Sequence, residues 1–183
     1  MWIFAYGSLI FRPSFDYVER RRAFVAGWAR RFWQGSPDHR GVPEAPGRVV
    51  TLVPEEHEVC GGCAYRVDER ELGRVLDALD IREQAGFERR SLPMFDEPPE
   101  PGVGGASAAP PFAEGITWIA SRSNAHFLGP LPEVEIAAFV RTRTGPSGPN
   151  SEYVLRLAEA LRALEIADAH VDAIARHLGS PAP

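Results

Sequence analysis

Residues 1–10 read MWIFAYGSLI. Trp2, Ile3 and Phe4 are strong strand formers that only a core can take up, and the run breaks at Ala5-Tyr6-Gly7-Ser8. Glycine widens the backbone angles open to the chain and serine is a common turn residue. The stretch therefore predicts a buried first strand, Trp2 to Tyr6, that ends in a loop at Gly7. Two readings of that loop stand side by side: a tight turn between elements, or a strand-end loop whose amide N–H groups meet an anion.

Outward from this start, apolar-rich or alternating stretches predict strands at about 25–34, 48–53, 59–67, about 87–95 and 115–120, with Gly and Pro between them. That spacing suggests a compact sheet or a small barrel. One helix interrupts the series: Leu72, Val75, Leu76 and Leu79 fall at i, i+3, i+4 and i+7, after an Asp68/Glu71 pair that resembles a capping box. Beyond Ala120 the pattern turns helical. Pro132 opens one helix carrying Ile136, Phe139 and Val140. A second runs from about Asn150, with Asn150 or Ser147 starting it, and Asp168 caps a third bearing Val171, Ile174 and Leu178. Strands first and helices afterwards define an α+β class. Residues 97–115, EPPEPGVGGASAAPPFAEG, lack periodicity and read as a flexible Pro/Gly-rich surface insertion.

The chain has 183 residues, 44% hydrophobic and 25% charged, which suits one soluble domain. Its formal charge of −5 provides no basic field for nucleic acid or an anionic membrane. No apolar run is long enough to span a bilayer and no secretory leader pattern opens the chain, so the expected location is the cytoplasm.

Four segments are candidates for chemistry. In LDIREQAGFERR (79–90) the apolar stripe extended by four residues lands on Glu83. A carboxylate where an amphipathic helix meets a sheet has a raised pKa and can act as base and then acid; the alternatives are a solvated turn residue or one paired with Arg82. Cys60 and Cys63 form a CxxC, but no second ligand pair accompanies it and Cys63 leads into a strand, so both read as packing residues. Ser36, Asp38 and His39 stand close in sequence. Neighbouring side chains on an extended chain point apart, and the run reads as a hairpin loop with polar contacts rather than a hydrolytic triad. Tyr153, in the first turn of its helix, either reaches a ligand or caps a loop.

Taken together and in order, WIFAYGSLIF, RRFWQGSPDHRGVPEAPGRVVTL, GCAYRV, LDIREQAGF, FLGPLP and GPSGPNSEYVLRLAEALRAL closely resemble the ChaC family of glutathione-specific γ-glutamylcyclotransferases. The resemblance implies a small mixed β-barrel flanked by helices, in a single domain. It implies cleavage of glutathione to 5-oxoproline and cysteinylglycine without metal or cofactor, the substrate being the only partner. The family's catalytic glutamate falls on Glu83. Its substrate loop falls on Phe4, Ala5, Tyr6, Gly7, Ser8 and Leu9, and Arg40 of the DHRG run and Tyr153 are counted with the substrate-binding residues. Ala5 stands where the family commonly has Gly, and Ala85 and Phe87 where Gly and Tyr are common. Turnover of other γ-glutamyl amines, or non-catalytic γ-glutamyl binding, are the competing expectations.

Overall fold

The computed structural model describes residues 1–83, 85–99 and 109–179. The apolar opening forms β1 (Trp2–Ala5), and a single 3-10 turn at Ser8–Ile10 follows it. Two long strands, β2 (Glu19–Ser36) and β3 (Gly47–Arg66), then form a hairpin. Helix α1 (Leu72–Arg82) leads into β4 (Glu88–Met94), which pairs with β5 (Ala113–Ile119).

The sheet order is β2-β3-β1-β5-β4. Every pairing is antiparallel except β1 with β5, which run parallel through Trp2–Gly115 and Ile3–Ile116. Just past β4, Phe95 exchanges two 2.9 Å backbone hydrogen bonds with Phe24 of β2. The two outer strands thus meet, and the twisted sheet closes into the expected small mixed barrel. Closure satisfies edge groups that would otherwise be left open.

Three helices flank the barrel: α2 (Glu133–Arg141), α3 (Asn150–Ala163) and α4 (Ala169–Gly179). A miniature pairing of β6 (Thr144–Gly145) with β7 (Gly148–Pro149) precedes α3. The stripes read from the sequence face inward, with Ile136, Val140, Val154, Leu157, Leu161, Val171 and Ile174 all buried. None of the helices among the described residues is long and apolar enough to cross a membrane.

Several expectations need correction. The stretches 48–53 and 59–67 are arms of one strand, β3; the register against β2 jumps from Trp28–Pro54 to Ala26–Val59, so residues 55–58 bulge outward. Asp68 and Glu71 make no capping box. Asp68 Oδ1 accepts from the Arg70 amide at 2.9 Å in a turn before the helix, and Glu71 pairs with Arg74. Asn150 does not cap its helix either. Fully buried, it accepts from the Arg48 amide (2.7 Å) and donates to the Arg48 carbonyl (2.8 Å), as a neighbouring strand would. Of the insertion expected at 97–115, residues 100–108 lie outside the described residues, and its last part, Ala113 to Gly115, belongs to β5.

One buried cation joins these layers. Arg30 of β2 is 1% exposed. Its Nε donates to the Tyr6 carbonyl (2.7 Å), one Nη to the Gly61 carbonyl of β3, and the other to Asp168 Oδ2 (2.6 Å). Asp168 in turn accepts from the Val171 amide at 3.0 Å and caps α4, as the sequence predicts. Removing one partner of such a pair strands the other. Arg30→Met should therefore lower unfolding stability by about 3–5 kcal/mol, read as a fall in the urea midpoint. Arg30→Lys should recover only part of the loss, because a point charge cannot replace a three-way fork.

Candidate active site

The loop after β1, the β2–β3 hairpin loop and the end of α1 converge on a cavity of about 290 Å³. Phe4 to Leu9, Arg40, Glu83 and Tyr153 all line it, so the residues that the family resemblance assigns to the site reach one place. Arg12, Asp38, His39, Arg82, Phe87, Trp118 and Ser147 complete much of the wall.

Glu83 is the C-cap of α1, with φ −96° and ψ 22°, and its amide donates to the Leu79 carbonyl at 2.8 Å. The helix stops one residue before it, and its side chain is 21% exposed. Burial raises its pKa above the ordinary carboxylate value. Arg82 opposes that rise, and His39 does so less, while Asp38 adds to it. Arg82 Nε lies 3.5 Å from Glu83 Oε1. The cleft carboxylate and the Arg82 pair, alternatives in the sequence, are thus both present.

Arg82 also reaches across the cavity. It donates to Ser8 Oγ at 2.7 Å and to Ser14 Oγ at 3.0 Å, tying the end of α1 to the substrate-loop candidate. Nothing near Arg82 in the sequence announces this, because Ser8 lies 74 positions away.

The loop itself is fixed from below. The Tyr6 hydroxyl donates to the Trp118 carbonyl at 2.6 Å, and burial raises its pKa well above the usual tyrosine value. Gly7 has φ −127°, so left-handed freedom is not what glycine supplies here. It supplies room: a Cβ would sit 3.1 Å from both Tyr153 Oη and Val50 Cγ2. Ser8 then opens the 3-10 turn, whose first amides have no acceptor within the turn. Among the described residues no hydrogen bond engages the N–H groups of Gly7, Ser8 or Leu9.

Arg40 lines the cavity but is largely occupied. It donates to the Pro149 carbonyl at 3.0 Å, lies 3.7 Å from Glu152 and sits over the Tyr153 ring. Burial lowers its pKa. Tyr153 is buried in the wall, and burial pushes its hydroxyl up to about 12. It enters the site neutral.

The hairpin loop does not form a triad. Ser36 Oγ accepts from the His39 and Arg40 amides, organising the loop. His39 is 3.9 Å from Asp38, too far for a hydrogen bond, and its Nδ1 faces Ser147 Oγ at 3.2 Å. Cys60 and Cys63 are buried in β3 as free thiols, and burial raises Cys60 to about 11. Groups that could hold a metal ion are absent among the described residues.

The profile of the ChaC-like protein family matches residues 1–180. An Arabidopsis thaliana protein, γ-glutamylcyclotransferase 2-3, is 39% identical over 183 residues, covering 97% of this chain and 88% of that one. The human glutathione-specific γ-glutamylcyclotransferase 1 is 38% identical, covering 100% of this chain and 80% of its own. Among solved structures, a yeast γ-glutamyl cyclotransferase specific to glutathione matches with a TM-score of 0.86 at 28% identity, over 98% of this chain and 95% of that chain. The same order of segments, the same barrel and a profile match along nearly the whole length lead to one conclusion: the chain belongs to the ChaC-like family.

Proposed function

We propose that this protein is a γ-glutamylcyclotransferase that splits glutathione into 5-oxoproline and cysteinylglycine, with Glu83 as its general base and acid. The observation that carries the reading is the shared cavity: a half-buried carboxylate with a raised pKa faces a loop of unengaged backbone amides. The name of the human relative at 38% identity supports glutathione as the substrate, and that of the Arabidopsis relative at 39% supports γ-glutamyl cyclotransfer.

The chemistry needs little from the protein. The α-amino nitrogen of a γ-glutamyl amide attacks its own γ-carbonyl carbon, a five-membered lactam closes, and the bond to the cysteinyl nitrogen breaks. Holding the glutamyl chain folded supplies a large effective molarity. The α-ammonium must give up a proton, which Glu83 accepts, and the departing nitrogen must gain one, which Glu83 returns. Arg82, 3.5 Å away, works against the rise that burial causes in the Glu83 pKa. The amides of Gly7, Ser8 and Leu9 are placed to receive a carboxylate or the oxyanion that develops on the carbonyl oxygen. A single domain acting in the cytoplasm on a small molecule, with no nucleic acid or membrane partner, completes the proposal.

Three outcomes test it. Glu83→Gln should keep the fold and lower 5-oxoproline formation from glutathione by about 10²–10⁴-fold, measured by mass spectrometry on purified protein. A variant retaining a tenth of wild-type turnover would remove Glu83 from the role of base.

The base must be ionised, and a raised pKa moves its titration upward. The acid limb of kcat/KM should therefore lie above the ordinary glutamate range and fall with decreasing pH as one proton binds. In Arg82→Gln, which loses the cation that lowers the Glu83 pKa, the limb should move to still higher pH.

Gly7→Val should depress kcat/KM by at least tenfold, because the new side chain meets Tyr153 and Val50. Steady-state kinetics with glutathione at matched folded content decides this, and wild-type kinetics would place the substrate elsewhere.

A further inference from the structure

Among the described residues the carboxylate of Glu83 forms an ion pair with Arg82 alone, so its position depends on the backbone that carries it. On one side that backbone is the end of α1. On the other it is a turn through Ala85 and Gly86, which the Phe87 amide closes onto the Glu83 carbonyl at 3.3 Å. This turn is gripped by a residue from elsewhere in the chain.

Asn124 lies beyond β5, in a segment folded by the bonds Asn124 N–H to Ser121 carbonyl (3.0 Å) and Phe127 N–H to Asn124 carbonyl (2.9 Å). Its Nδ2 donates to the carbonyls of Ala85 (3.0 Å) and Gly86 (2.7 Å). Its Oδ1 accepts from the His126 amide (2.8 Å) and from Nε2 of Gln34 (3.1 Å). Two donors and two acceptor positions are all that a carboxamide has, and all are engaged. The orientation is therefore unambiguous, since a flipped amide would set N–H against N–H and oxygen against oxygen.

Gly86 is shaped to receive this amide. Its φ of +83° is unfavourable for any other residue, and a Cβ would lie 2.5 Å from Asn124 Nδ2. Gln34, fully buried in β2, holds the far side of Asn124 to the barrel. The line of contact thus runs from the barrel wall through Gln34 and Asn124 to the turn that leaves Glu83.

We propose that Asn124 is a positioning residue for the Glu83 carboxylate, acting through the backbone of Ala85 and Gly86. The inference rests on Glu83 being the base. Proton transfer needs a carboxylate within hydrogen-bond reach of both the attacking and the departing nitrogen. A displacement of about 1 Å can cost about 10²-fold.

Two substitutions separate positioning from general support. Asn124→Ala removes both the donors and the acceptor. Asn124→Asp keeps an oxygen for Gln34 and His126 but turns a second oxygen onto the Ala85 and Gly86 carbonyls. Both variants should lose kcat for 5-oxoproline formation by about 10- to 100-fold, with KM within about threefold. The rates are read on the pH plateau, so that the new charge at position 124 does not act through Glu83 ionisation. Exchange of the Phe87 amide proton, followed by NMR, should accelerate in both variants while the melting transition of the aspartate variant stays near that of the wild type.

An Asn124→Asp protein with wild-type kcat, or Phe87 exchange unchanged in both variants, would overturn the inference. So would a loss of kcat that only tracks a loss of folded protein. If the wild-type protein forms no 5-oxoproline, the functional reading fails and Asn124 has no catalytic carboxylate to place. If the wild type is active and Glu83→Gln is not, a failure at Asn124 leaves that reading intact.

Discussion

The guanidinium of Arg30 is the point on which the architecture turns. It is a charge placed where water cannot reach it, and only full engagement makes such a charge tolerable. Its three partners come from three parts of the chain: the loop after β1 through Tyr6, the middle of β3 through Gly61, and the start of α4 through Asp168. The barrel, the flanking helix and the loop that lines the cavity are thereby referred to one group. A shift of any of them exposes an unmet charge or carbonyl, so the cavity inherits the rigidity of the core.

Above that anchor the cavity wall is a balance of charge. Burial works against the ionised form of Glu83, Arg82 works for it, and Arg82 is itself disfavoured by burial and supported by Glu83. A proton arriving on Glu83 leaves Arg82 without its partner carboxylate. The serine hydroxyls of Ser8 and Ser14 keep its N–H groups satisfied at that moment. Burial and ion pairing thus pull the Glu83 pKa in opposite directions, with burial the larger of the two.

Much of this was legible in the sequence because it is periodic or local. The stripes of α1, α3 and α4 and the apolar run of β1 report burial directly. Glu83 was visible as the residue where a stripe of leucines should continue and a carboxylate stands instead. The errors have a common cause. Asp68 has the spacing of a cap, but its side chain closes a turn of its own, the local competition typical of aspartate. Asn150 has the residue type and position of a cap, yet its amide serves Arg48, 102 positions away. The break between 53 and 59 is a change of register against β2, which only the partner strand defines. Arg82 and Asn124 carry no local signature, because what they touch lies far along the chain.

The placement of the two cysteines has a consequence for chemistry with sulfur-bearing peptides. Cys60 and Cys63 are both enclosed, 3% and 0% exposed, and burial raises the pKa of each. Thiol–disulfide exchange requires a thiolate with access to the attacked sulfur. Neither condition is met in β3. A protein whose proposed substrate carries its own thiol therefore presents no sulfur with which that substrate, or its oxidised dimer, can form a mixed disulfide. The thiols of Cys60 and Cys63 therefore offer the surrounding redox state no direct handle on the protein.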